Sequence, residues 1–121
     1  VLRQLTRDHS QVEELVAAGL LDRAAAEHHP AGNVITRAVG GAEQLELDAQ
    51  IIECLDGDLF LLCSDGLTKE LGTEEIAESL LSTQIGDAAR DLVERALGRG
   101  ARDNVTVVAA KVFPRHCDTP A

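Results

Sequence analysis

The firmest periodic signal in the chain lies over 86–97, where Ala88, Ala89, Leu92, Val93, Ala96 and Leu97 recur along one side of a 3.6-residue helix. Gly98 and Gly100 end it. Just upstream, Thr73 is placed to cap a helix running to Leu81, and Glu74 and Glu75 fall in its first turn, where carboxylates favour the positive end of the helix. A different pattern precedes these helices. Leu59-Phe60-Leu61-Leu62-Cys63 is continuously apolar, short, and bounded by the turn-formers Asp56-Gly57-Asp58 and Ser64-Asp65-Gly66, which predicts a strand buried on both faces. The Val-rich run over 105–112 predicts a second strand.

The first 54 residues are more polar. Ser10-Gln11-Val12-Glu13 has the form of a capping box, so a short helix is expected over 12–18, ended by Gly19. Asp22 can cap another over 23–27, closed by His28-His29-Pro30 because the residue before a proline disfavours helix. The two make a helical hairpin. The β-branched stretch 33–39 and the loosely alternating stretch 45–54 predict strands joined by Gly40-Gly41, and Val1-Leu2-Arg3-Gln4-Leu5 reads as the end of another strand. The segment 113–121, with two prolines, is expected to be a loose tail. One domain of class α+β follows, with helices layered on sheets.

Charge narrows the functional classes. The 121 residues carry 21 carboxylates against 11 basic residues, for a net charge of −10. Nucleic acid is bound largely by Lys and Arg that neutralise phosphates, so no nucleic-acid partner is expected. With two Phe and no Trp or Tyr there is also no stacking platform for bases. No apolar run is long enough to cross a bilayer, and Val1 opens no targeting segment, so the expectation is a cytoplasmic chain with no membrane partner. Cys54, Cys63 and Cys117 show no metal-binding or disulfide spacing; Cys54 and Cys63 are read as small buried hydrophobes.

Two aspartates stand apart. Asp65 follows the strand that ends at Cys63, and Asp103 precedes the one that starts near Val105. Were these strands antiparallel neighbours, both carboxylates would meet at one sheet edge, on the order of 4–8 Å apart, a spacing that suits one or two hard divalent cations. Ser-Asp-Gly and Asp-Asn are equally turn sequences, so the residues alone leave the turn reading open. Of the other conspicuous side chains, His9 and Asp8 are read as structural, and His28 and His29 as the end of a surface helix. Arg7, Arg37 and Arg102 are either phosphate contacts or ordinary surface charges.

Four segments in order carry a resemblance: Leu5-Thr6-Arg7-Asp8-His9-Ser10, Asn33 to Gly40, Gly57 to Leu67, and Asp103 to Val108. Over about residues 2–112 the chain resembles the C-terminal half of bacterial metal-dependent serine/threonine phosphatases of the protein phosphatase 2C type. That resemblance implies part of an α-β-β-α layered sandwich lacking its N-terminal strands, with residues 1–112 in the domain and 113–121 a flexible tail. It also implies a binuclear Mn²⁺ or Mg²⁺ centre whose water attacks phosphoserine or phosphothreonine in a phosphoprotein substrate. Asp65 and Asp103 match two of the family's metal ligands, no catalytic or substrate-binding side chain is assigned, and about 10–36 matches its mobile flap. The family's Asp-Gly-x-Gly-Gly segment, which supplies the bridging ligand, has no counterpart here. The isolated chain is therefore expected to be inactive, and to need the missing N-terminal half or a second copy of itself. The competing expectation is a non-catalytic interaction or regulatory module built on the same fold.

Overall fold

The structure, a computed structural model, describes residues 1–32 and 34–114. Most of the tail expected over 113–121, Cys117 within it, and Asn33 at the head of the 33–39 stretch lie outside the described residues. The chain divides into two compact units, one formed by Val1–Arg3 with the residues from Ile52 onward, the other by Gln4–Ile51.

In the first unit, β1 (Leu59–Cys63) pairs antiparallel with β2 (Val107–Lys111), in a register that sets Leu59 against Lys111, Leu61 against Ala109 and Cys63 against Val107. Backbone bonds continue the pairing at both ends: Ser64 N–H donates to the Thr106 carbonyl at 3.0 Å and Val112 N–H to that of Asp58 at 2.8 Å. Between the strands come three helices, α3 (Asp65–Thr68), α4 (Thr73–Ser82) and α5 (Ile85–Gly98). The stripe read over 86–97 is the face α5 buries, with Ala88, Leu92 and Ala96 fully enclosed beside Leu67, Leu71, Ile76 and Leu80. Alternate strand positions Leu59, Leu61, Val107 and Ala109 pack onto this cluster, as do Val105 just before β2 and Leu2.

The other face of the sheet corrects the expectation of double burial. Leu62 is 63% exposed and Val108 56%, because the described helices of this unit cover only the alternate side chains. Cys54 and Cys63 are also exposed, not buried: Cys54 lies in irregular chain before the Gly57 turn, and Cys63 lies at the last position of β1. The cap of α4 is Gly72, not Thr73. Gly72 is extended and its carbonyl already accepts from Ile76 N–H at 3.1 Å, so the helix starts one residue earlier than the side-chain chemistry implied. Among the described residues one polar side chain is fully buried, and it is paired: Ser79 Oγ donates to Asp91 Oδ2 at 2.6 Å, and Asp91 Oδ2 forms an ion pair with Arg95 Nε at 2.9 Å.

The second unit contains α1 (Gln11–Ala17) and α2 (Arg23–Ala26), the expected hairpin. Only half of the capping box forms. Ser10 Oγ accepts from Glu13 N–H at 3.1 Å, whereas the Glu13 carboxylate turns away to take both Arg23 guanidinium nitrogens at 2.6 and 3.0 Å. The strands expected over 33–39 and 45–54 are absent from the described residues, and so is one at 1–5. The first reaches a single bridge, Ser10 to Ile35, with Gln11 N–H on the Val34 carbonyl and Thr36 N–H on that of His9. A strand pattern needs a partner to hydrogen-bond with, and Val39, Leu45, Leu47 and Ile51 remain exposed without one.

Candidate metal centre

The site is assembled by backbone contacts around the Ser-Asp-Gly turn. Ser64 caps α3 in extended conformation, and its hydroxyl joins the two strand ends: Oγ donates to the Asn104 carbonyl at 3.2 Å and accepts from Thr106 N–H at 2.9 Å. Gly66 is buried against the same backbone. A Cβ at that position would run into the Asn104 carbonyl oxygen, so the close approach of the two segments requires glycine. Ser and Gly thus clamp residue 65 beside residues 103 and 104, and the Asp between them stays exposed on the outside of the junction.

The structure brings Asp65 and Asp103 together, as antiparallel pairing implies. Lys69, one turn along from Asp65, places its Nζ at 3.1 Å from Asp65 Oδ2 and 3.3 Å from Asp103 Oδ2, so both carboxylates lie within reach of a single ammonium. Asp103 also accepts from the Asn104 N–H at 2.7 Å; this bond, followed by the Lys69 hydrogen bond and then its charge, holds its carboxyl below the ordinary aspartate range. The two carboxylates in turn raise the Lys69 ammonium above its ordinary value, Asp65 contributing first. The neighbouring backbone is strapped down. Arg102 Nε reaches Glu70 Oε1 at 2.9 Å, its Nη2 reaches the Lys69 carbonyl at 2.7 Å, and Glu70 is held ionised at lower pH by this side-chain bond.

The donor set suits a hard cation: two exposed carboxylates converging at one edge, already bridged by a positive charge. Among the described residues no third His, Cys, Asp or Glu joins them. Mg²⁺ and Mn²⁺ are commonly held through one or two carboxylates with waters completing the shell, so the pair fits as a partial site.

His9, Asp8, His29, Arg37 and Arg102 are employed elsewhere. His9 Nε2 lies 2.7 Å from Asp48 Oδ2, and Arg37 Nη1 donates to Asp48 Oδ1 at 2.9 Å, within the second unit. Asp8 accepts from Gln4, and His29 Nδ1 accepts from Ala31 N–H. Arg102 belongs to the strap just described. A hollow of about 580 Å³, lined by Leu80, Leu81, Ile85 and Phe113 among others, opens at the Leu59–Lys111 end of the strand pair, away from the aspartates. Sequence reading missed Lys69 and the clamp role of Gly66. The i, i+4 spacing of Asp65 and Lys69 was available as a signal; the Asn104 backbone behind Gly66 was not.

No protein-family model matches the chain. Individual proteins do. The serine/threonine phosphatase stp of Listeria monocytogenes is 38% identical over 109 residues, covering 89% of this chain and 43% of that protein. The crystal structure of the Mycobacterium tuberculosis serine/threonine phosphatase PstP/Ppp superposes with a TM-score of 0.86 at 38% identity, covering 94% of this chain and 48% of that one. A structure of the catalytic domain of PstP in complex with two manganese ions superposes with a TM-score of 0.79 at 37% identity, covering 94% and 46%. The chain thus spans under half the length of these relatives. With identity this high across nine-tenths of its residues and the same backbone course, the chain belongs to the protein phosphatase 2C-like serine/threonine phosphatases, as a C-terminal part of such a domain.

Proposed function

We propose that this chain is the C-terminal portion of a metal-dependent protein serine/threonine phosphatase, contributing Asp65 and Asp103 to a Mn²⁺ or Mg²⁺ centre that hydrolyses phosphoserine and phosphothreonine. One observation carries the reading: the two carboxylates, far apart in sequence, close on a single positive charge at one sheet edge. A bound divalent cation would supply a water acidified enough to attack phosphorus in line. The chain's own residues hold the carboxylates ready. Ser64 and Gly66 fix the junction, Asn104 N–H keeps Asp103 ionised, and the exposed edge leaves both side chains open to cation and phosphoprotein. The remaining ligands come from the N-terminal half of the domain, its partner in this reading. The α1–α2 hairpin corresponds to the flap, and the location is cytoplasmic; no helix of the described residues is long and apolar enough to cross a membrane.

The test uses the protein expressed from its complete reading frame and a phosphothreonine peptide with Mn²⁺. Asp65→Asn and Asp103→Asn should each lower turnover on the order of a hundredfold or more, since even outer-shell changes at metal sites cost 10–100-fold. The 121-residue chain alone should release no phosphate. Retained activity in both variants would reject the assignment. It would favour an interaction module, a reading to which the exposed Leu62 and Val108 face lends some weight.

A further inference from the structure

We propose that Lys69 is a built-in counter-cation that competes with the divalent metal for Asp65 and Asp103, and so sets how much free metal the centre requires. The inference deepens the metal-site reading and rests on it. Its basis is geometric. The Lys69 ammonium sits within 3.1 and 3.3 Å of the two carboxylates, where a cation shared between them would sit. An exposed lysine ordinarily loses much of the benefit of such pairs in ordering its long side chain. Lys69 starts from a backbone already held: its carbonyl accepts from Arg102 Nη2 at 2.7 Å, and the next carbonyl, that of Glu70, accepts from Arg99 Nη1 at 3.0 Å. The Glu70 side chain, only 7% exposed, takes both the Nε and the backbone N–H of Arg102. Residues 69–70 are therefore tied to Arg99 and Arg102, and the lysine stem leaves this tie at the carboxylate pair. A metal entering the pair must displace the ammonium from both partners.

The experiment measures Mn²⁺ binding to the protein from its complete reading frame, following free Mn²⁺ by its electron paramagnetic resonance signal. Lys69→Met keeps most of the stem and removes the charge. It should tighten Mn²⁺ binding by about three- to tenfold at low ionic strength, the worth of one or two exposed ion pairs, and the gain should shrink in high salt. Lys69→Arg, which keeps the charge, should bind close to wild type. A second readout is independent of affinity: in amine acylation followed by mass spectrometry, Mn²⁺ should raise the labelling of Lys69 while leaving Lys111 unchanged, the chain's other lysine, whose ammonium lies over Phe113. Asp65→Asn separates the two levels. Loss of Mn²⁺ binding in Asp65→Asn with no gain in Lys69→Met would overturn the competition alone. Unaltered Mn²⁺ binding in Asp65→Asn would overturn both.

Discussion

The two units of this chain are held by different forces. From Ile52 onward, Leu67, Leu71, Ile76, Leu80, Ala88, Leu92 and Ala96 form a closed apolar cluster. In Gln4–Ile51, Val12 is the one buried hydrophobe among the described residues, and Leu20, Ile35, Val39, Leu47 and Ile51 face solvent. Its order comes from polar contacts: the Ser10 cap, the Glu13–Arg23 fork, and Asp48 held between His9 and Arg37. Apolar burial is non-directional and is not screened by salt, whereas exposed ion pairs are weak and screened. The difference assigns the carboxylate pair to the stiff unit and the hairpin to the responsive one.

Breaking the apolar unit should have the largest effect. Leu92→Ala removes the centre of the α5 stripe and should cost about 2–5 kcal/mol in urea unfolding, with little dependence on salt. A cost well under 1 kcal/mol would mean that the cluster is not what stabilises this unit. Gly66→Ala tests the clamp within the same unit and should cost about 1–3 kcal/mol as the Asn104 segment is pushed away, with Mn²⁺ affinity falling alongside stability. The smallest effect belongs to the polar unit. Arg23 holds the Glu13 carboxyl below its ordinary value, first through the side-chain hydrogen bond. A depressed folded pKa means that the pair stabilises the fold above the unfolded glutamate pKa of about 4.3, and that this contribution is lost as pH falls through the folded value. Amide protection factors over 11–26, taken relative to the intrinsic exchange rate at each pH, should therefore fall on acidification in the wild type, but start low and show no such step in Arg23→Met. Identical profiles for the two proteins would remove the fork from the account.

How much of this was legible in the sequence depended on whether a signal was local. The span 59–63 could be read as a strand because a continuous apolar run was bracketed by turn residues, and α5 because its stripe persisted over three turns. The β-branched stretch 33–39 and the loosely alternating stretch 45–54 also carry strand patterns. They fail as strands because propensity does not provide a partner. The four residues of α3 look like a turn, and at that length the distinction is slight. Asp65 and Asp103 could be picked out because each flanks a strand and the strands are neighbours. The clamp could not, since the need for glycine at 66 arises from the backbone of Asn104, which only the folded chain brings near.

The register that joins Leu59 to Lys111 also has a kinetic side. β1 and β2 enclose α3, α4 and α5 as one long loop, and closing such a loop costs entropy before the pairing returns anything. The helices make their contacts nearby in sequence; the sheet does not. A chain still emerging during synthesis would display Asp65 and Lys69 as an ordinary surface pair until Asp103 and β2 had followed, and the two-carboxylate edge would come into being only as the loop is drawn shut.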